Sequence, residues 1–224
     1  MPILGTNFSG VVEAVGSSVT RFRVGDRIAG TSATNFSAFA EYIVVADDTA
    51  VVARPANLSD VQAVVLFDGA VTALLFLRES VQLRAGQSIL INGASGAGGI
   101  AAIQLAKHFG ATVTAVCSTA NLELVTAVGE DAVIDYIAED FTRNLDSYDV
   151  IFDTVATSSF LRSRRALKRG GIYLTTVPSP TILVQVLWTS RIGRKKAAIA
   201  FTGLAASPRR HEAQDGQCRH HDRC

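Results

Sequence analysis

One stretch constrains this chain more than any other: Ser88 to Gly110, which reads SILINGASGAGGIAAIQLAKHFG. It predicts a short apolar strand, a glycine-rich turn and an apolar helix, in that order. Ser88-Ile89-Leu90-Ile91 has the continuous apolar character of a strand covered on both faces, and Ile100, Ile103, Gln104 and Lys107 fall at helical spacing behind the turn. Between them, Ala94-x-Gly96-x-x-Gly99 stands where a G-x-G-x-x-G fingerprint would stand, with alanine at the first glycine. Gly96 keeps a Cβ away from an approaching pyrophosphate, Gly99 lets the helix lie close to the strand, and the helix start offers N–H groups to an anion. Ala94, Ser95, Gly96, Ala97, Gly98 and Gly99 are therefore the expected phosphate cradle. The competing reading is an ordinary strand-to-helix connection; the strand before and the helix after argue against it.

The rest of the chain divides near residue 66. The first part is β-rich: Gly10–Gly16, Arg27–Gly30 and Phe39–Val45 predict strands, Val24-Gly25-Asp26-Arg27 carries turn chemistry, and Ser59 is placed to cap a helix. The second part alternates. After the fingerprint come a strand at Thr112–Cys117, a helix at Asn121–Val128 stopped by Gly129, and strands at Ala132–Asp135 and Asp149–Asp153. A helix at Ser159–Lys168 stopped by Gly170-Gly171 and a strand at Ile172–Thr176 complete the series. Such alternation predicts an α/β fold with a parallel, doubly wound sheet.

Composition removes several classes of function. Lys plus Arg number 21 against 20 Asp plus Glu, a net charge of +1, so there is no electrostatic footprint for nucleic acid or an anionic membrane. The start, MPILGTNFSG, lacks the regions of a signal peptide, and the apolar run Thr181–Trp188 is too short to span a bilayer. A soluble, cytoplasmic chain is the expectation. Cys117, within an apolar strand, reads as a small buried hydrophobe. The basic run Arg191–Lys196 and the cluster Arg162, Arg164, Arg165, Lys168 and Arg169 read as solvated charge.

At this level of detail the sequence resembles the medium-chain dehydrogenase/reductase superfamily, in its zinc-independent quinone oxidoreductase and enoyl reductase branch. The resemblance runs from about Leu4 to about Leu204. It is carried by GTNFSGVVEAVGSSVTRFRVGDRIAG, FAEYIVV, ARPANLS, GAVTALLFL, LRAGQSILINGASGAGGIAAIQLAKHFGATVTAVCSTANLELV, DAVIDYIAEDF, YDVIFDTV and RRALKRGGIYL, in that order. It implies a Rossmann sheet preceded by a GroES-like β domain, with nicotinamide in the cleft between them. On that basis residues 1–66 are expected to be a remnant of the GroES-like substrate domain, 67–206 the Rossmann NADP-binding domain, and 207–224 an atypical tail. The family pattern has strands ahead of the GTNFSG block and a sixth strand after the fifth, and the expectation is that this chain lacks both. The tail holds Cys218, His220, His221 and Cys224, a set able to bind zinc. Nothing apolar accompanies them, and the tail reads as the product of a frame shift or truncation.

Cofactor choice is argued from the end of the second strand of the alternating part. An NAD-binding sheet places an acidic residue about 20 positions after the glycines, on the ribose 2′-OH. Here the chain reads Cys117-Ser118-Thr119-Ala120-Asn121, without a carboxylate, and Ser118 and Thr119 are able to donate to a 2′-phosphate. NADP(H) is expected ahead of NAD(H); capping of a helix at Asn121 is the competing role for the two hydroxyls. The resemblance adds Tyr136 as a residue packed on that phosphate, and notes that Ala120 stands where relatives often carry Lys or Arg. It implies hydride transfer from nicotinamide to a small electrophile, a quinone or an activated alkene or carbonyl, with Thr72 of GAVTA facing the nicotinamide and Asn7 near the cleft. A polar place on a helix is the plain alternative for Thr72. Asp153 stands at the carboxyl edge of its strand, where ligands bind or where a carboxylate caps a loop. No metal is expected, because Cys117 and His108, at a helix end, cannot assemble the family's zinc ligands. A homodimer is compatible with the resemblance. The second reading is a chain that binds nucleotide, or folds in part, without catalysis.

Overall fold

The computed structural model describes residues 3–32, 36–46, 49–192 and 194–199. The tail at 207–224, with its cysteines and histidines, lies outside the described residues. Two sheets organise the rest. The small one is antiparallel, in the order β1 (Asn7–Val11), β2 (Arg27–Thr31), β3 (Val51–Ala53). The large one is parallel throughout and six-stranded, in the order β6-β5-β4-β7-β8-β9. Its strands are β4 (Ser88–Asn92), β5 (Thr112–Cys117), β6 (Ala132–Asp135), β7 (Tyr148–Asp153), β8 (Leu167–Thr175) and β9 (Lys196–Ile199).

The apolar run of β4 behaves as its composition predicts. Ile89, Leu90 and Ile91 are all fully buried, but on opposite sides of the sheet: Ile89 and Ile91 join Val113, Ala115, Phe152 and Leu174 in one core, whereas Leu90 joins Val116, Ile151, Phe160 and Tyr173 in the other. Strand periodicity of two and a helix layer on each face account for both. Each such side chain contributes about 1.5–3 kcal/mol of transfer free energy.

A long helix, Asp60–Ser80, joins the two sheets. Its α-helical pieces α1 (Asp60–Val65) and α2 (Val71–Leu74) alternate with π-helical turns at Leu66–Ala70 and Leu75–Ser80. Ser59 caps it as expected: its hydroxyl accepts from Gln62 N, and Gln62 Oε1 accepts from Ser59 N, a reciprocal capping box. It is 21 residues long and holds an 18-residue window of mean hydropathy 1.7, so length and composition alone would let it cross a membrane. Here Ala73, Phe76 and Leu77 are buried in the first core, with Phe76 stacked on Phe152 at 5.4 Å. The remaining helices are α3 (Ala97–His108), α4 (Leu122–Thr126), α5 (Phe160–Ser163) and α6 (Pro180–Ile192). His108 closes α3, as predicted.

Four expectations are corrected. The predicted strand at Phe39–Val45 does not form: Phe39 N and Ala38 N bond Leu4 O and Gly5 O, but no strand lies alongside, and Tyr42 and Val44 are exposed. The first strand is Asn7–Val11 rather than Gly10–Gly16, set by its register with β2. The helix expected at Ser159–Lys168 lasts one turn, because Ala166 and Leu167 are fully buried and Leu167 enters the sheet opposite Tyr148. Its basic residues therefore do not share a helix: Arg162 pairs with Asp140 at 3.1 Å and Lys168 with Asp149 at 2.8 Å. Finally, a sixth strand is present. β9 pairs with β8, and Lys195 of the run read as solvated is largely buried, its Nζ 2.7 Å from Asp146 and 3.0 Å from Arg164 O.

Candidate cofactor site

From β4 the chain first adds β5 and β6 on one side, then crosses to add β7, β8 and β9 on the other. The ends of β4 and β7 therefore flank the switch point, where a doubly wound sheet opens a crevice for ligands. A cleft of about 510 Å³ lies there, lined by Asn92, Gly93, Ser95, Ser118, Tyr136 and Val155 among others.

The cradle is built by backbone contacts. Gly93 N and Ala94 N donate to Val116 O at 3.2 and 3.0 Å, which seats the turn on β5, and Gly96 N donates to Gly93 O. Ala94 is fully buried beneath the turn. Gly96 is the N-cap of α3, with no side-chain cap bond, and the first amides of α3, from Ala97 to Gly99, have no partner within a helix. Gly98 faces open space, with no atom within 4 Å of a built Cβ, whereas a Cβ on Gly99 would lie 2.2 Å from Gly93 O. Gly99 is thus the close-packing glycine that the spacing predicts. The tight turn, however, is made by Gly93, at φ +82° and with Thr154 against it. The glycines recur as Gly93-x-x-Gly96-x-x-Gly99; the first is moved by one residue rather than lost to Ala94.

On the β5 side, Ser118 and Tyr136 both line the cleft. The Ser118 hydroxyl makes no cap bond and instead accepts from Asn121 Nδ2 at 3.0 Å. The Thr119 hydroxyl donates to Asp135 Oδ2, and that bond, with another from Ile137 N, holds the Asp135 carboxyl below the usual carboxylate range. Cys117, 2% exposed, has its thiol pushed up by burial and then by the Asp135 and Glu130 carboxylates. Arg162 is the one cation among the described residues lining the cleft, and it is paired with Asp140.

Thr72 does not line this cleft; it is half-buried on α2. In the π-helical turn just before α2, Gly69 meets the cradle: a Cβ there would lie 2.4 Å from Ala97 O. Asn7 opens β1, half-buried. Asp153 is fully buried, and its carboxylate accepts from Asn92, Tyr173 and the loop amides of Val155 and Ser158. Sequence reasoning missed Gly93, Asn92 and the loop after β7; only Gly93, by its spacing, carried a signal. Among the described residues, no three His, Cys, Asp or Glu side chains gather closely enough to hold a metal ion.

A parallel doubly wound sheet with a glycine-rich turn at its switch point, preceded by a small antiparallel sheet, defines a two-part dinucleotide-binding protein. Residues 1–56 match the alcohol dehydrogenase GroES-like domain, and residues 98–177 match the family described as zinc-binding dehydrogenase. The sequence is 36% identical over 187 residues to 2-methylene-furan-3-one reductase of Solanum lycopersicum, covering 79% of this chain and 47% of that protein. It is also 36% identical over 188 residues to the chloroplastic NADPH-dependent alkenal/one oxidoreductase of Arabidopsis thaliana, covering 79% and 47%. The quinone oxidoreductase of Coxiella burnetii superposes with a TM-score of 0.80 at 29% identity, over 89% of this chain and 63% of that one. The chain spans about half the length of the curated relatives it matches. Its two matched segments are the two domains of the medium-chain dehydrogenase/reductase superfamily, and the chain is similar to members of the quinone oxidoreductase and enoyl reductase branch.

Proposed function

We propose that the chain binds a reduced nicotinamide dinucleotide, NADPH ahead of NADH, and supports hydride transfer to a small electrophile, a quinone or an activated alkene or carbonyl, without zinc. The observation that carries the reading is the cradle at the switch point: unpartnered amides at the start of α3, with Gly99 and Gly69 allowing the backbone approaches that place them. The nicotinamide, when bound, supplies the hydride. The chain's own residues do the rest. The α3 amides take the pyrophosphate, Ser118 and Tyr136 border the ribose nearest β5, and the loop after β7 walls the other half of the cleft. The absence of a carboxylate at Ser118 and the free hydrogen of its hydroxyl support a 2′-phosphate there; Thr119, committed to Asp135, is the weaker donor. Thr72 does not line the cleft, and its role toward the nicotinamide rests on the family resemblance.

A second reading, binding without turnover, is favoured by one observation. Phe39, Tyr42 and Val44, beside the small sheet expected to carry the substrate wall, are 76%, 75% and 94% exposed. One experiment separates the two readings. Calorimetric titration with NADPH and NADH measures binding, and NADPH oxidation with a panel of quinones and enones measures turnover. Binding with oxidation supports the reductase, and binding alone supports the second reading. An unmeasurable affinity for both dinucleotides refutes each. Ser118→Ala is expected to narrow the preference for NADPH several-fold; tighter NADH binding by the wild type would refute the phosphate assignment.

A further inference from the structure

Asp153 is the one fully buried carboxylate among the described residues, and it has no part in the phosphate cradle. Its two oxygens accept four neutral donors. Oδ1 takes Asn92 Nδ2 at 3.0 Å and Val155 N at 3.3 Å; Oδ2 takes Tyr173 Oη at 2.8 Å and Ser158 N at 2.9 Å. The Asn92 amide also donates to Thr157 Oγ1 at 3.0 Å. Burial, and then the Asp153 carboxylate, push the Tyr173 phenol well up, so it remains a donor. Three strand ends, β4, β7 and β8, and both arms of the loop Thr154–Ser159 are thus tied to one side chain. A second set of bonds fastens the loop's start to the end of β4 and the glycine turn: Thr154 N and Oγ1 donate to Asn92 O, at 3.0 and 2.8 Å, and Oγ1 also to Gly93 O at 3.2 Å.

A carboxylate in a sheet core without a cation is costly, and an apolar residue would serve the packing better. What it supplies here is acceptors: two of its donors are the amides of Val155 and Ser158, which have no other partner among the described residues, whereas Thr154 and Thr157 are held through Asn92. That loop lines the cleft with Val155, Thr157 and Ser158. It follows β7, on the side of the switch point opposite β5. A dinucleotide with its pyrophosphate on α3 and its adenosine toward Ser118 lays its nicotinamide half against it.

We propose that Asp153 is a positioning residue for the nicotinamide half of the cleft, holding the loop Thr154–Ser159 through Asn92, Tyr173 and the amides of Val155 and Ser158. The proposal rests on the dinucleotide reading above. In Asp153→Asn the amide turns a donor toward one of two donor pairs, so either Asn92 and Val155 or Tyr173 and Ser158 lose their acceptor, and one arm of the loop loses its tie while Thr154 stays bonded to Asn92 O.

The test compares whole and half ligands on the full chain. NADPH spans the cleft, whereas 2′,5′-ADP occupies only the β5 side. Positioning predicts that Asp153→Asn weakens NADPH by about tenfold, the effect of a buried donor left unpaired, while 2′,5′-ADP binding stays within about twofold. If Asp153→Asn does not fold, by circular dichroism and thermal melting, Tyr173→Phe removes one donor to Asp153 Oδ2 at a buried site outside the cleft lining and is expected to show the same split, about threefold in size. Equal losses for both ligands, or unchanged NADPH affinity in the folded variant, would overturn the proposal. A wild-type chain that binds neither ligand refutes the dinucleotide reading itself, a result distinct from either outcome in the variants, and the proposal falls with it.

Discussion

Gly99→Ala is the sharpest probe of the cradle. A Cβ on Gly99 would lie 2.2 Å from Gly93 O and 2.7 Å from both Cα and C of Ala94, all backbone atoms fixed by the seat on Val116. To reach ordinary contact, the start of α3 must move off the turn by about 1 Å. Overpacking of this kind costs about 1–3 kcal/mol, and the upper part of that range applies because no flexible side chain yields. Alanine's helix propensity returns at most about 1 kcal/mol, which leaves a net loss of about 1–2 kcal/mol in stability. Affinity should suffer more than stability, since the amides proposed to take the pyrophosphate move with the helix; one charge-assisted amide bond lost costs about 1.5–3 kcal/mol, on the order of 10- to 100-fold. The assay is a urea melt paired with calorimetric NADPH titration, with Gly98→Ala as the control. Gly98 has no atom within 4 Å of its built Cβ, so that variant should keep its stability. A Gly99→Ala chain with wild-type melt and wild-type affinity would refute the geometric argument outright.

Two further outcomes are expected. Phe76→Ala, at a 1% exposed site stacked on Phe152, should cost about 3–5 kcal/mol and lower Tm by about 10 °C by calorimetry; a loss below 1 kcal/mol would mean that the helix Asp60–Ser80 is not docked on the sheet. For Asp149, burial raises the carboxyl, but donation from Lys168 and from Ser88 N and Oγ outweighs it and holds the group below the usual carboxylate range. A depressed folded value means stabilisation that is present at neutral pH and lost as pH falls through the ordinary carboxylate range and below it. With both partners partly exposed, the ion pair adds no more than about 1 kcal/mol. Tm measured from pH 7 to pH 3 should therefore fall less steeply in Asp149→Asn than in the wild type, and parallel curves would contradict the assignment.

The parts of the fold readable from sequence are those fixed by local order. β4, β5 and β6 are short apolar runs bounded by glycine or by a turn, and α3 begins where its glycines say it should. Misreadings arose where a distant partner decides. Phe39–Val45 has every strand propensity but no neighbour to complete its ladder, and Leu167 leaves a helical pattern because Tyr148 is its partner in the sheet. Propensity is overridden in both cases by pairing. The site divides the same way. Gly96 and Gly99 lie within one local motif, whereas Asn92 and Asp153 meet across 61 residues, through a parallel pairing that no local pattern encodes.

The connection between the two sheets bears on why binding and turnover need separate assays. The small sheet is held to the start of the long helix by a polar cluster on Asp60: Ser9 Oγ donates to its Oδ1 at 2.8 Å, Arg54 Nε lies at 3.2 Å, and Arg27 at 4.0 Å. Asp60 and Arg27 are both more than half exposed, so that contact is screened and contributes little, whereas the Arg54 side chain is only 7% exposed. Further along the same helix, Gly69 touches the start of α3, and Ala73, Phe76 and Leu77 lie in the apolar core of the large sheet. The cradle therefore depends on the large sheet and the later turns of the helix. The small sheet is tied on instead through the polar cluster at Asp60. Perturbations on the two sides of residue 66 should consequently separate: those in the small sheet act on turnover, and those at Gly69, Gly93 or Gly99 act on binding first and on turnover through it.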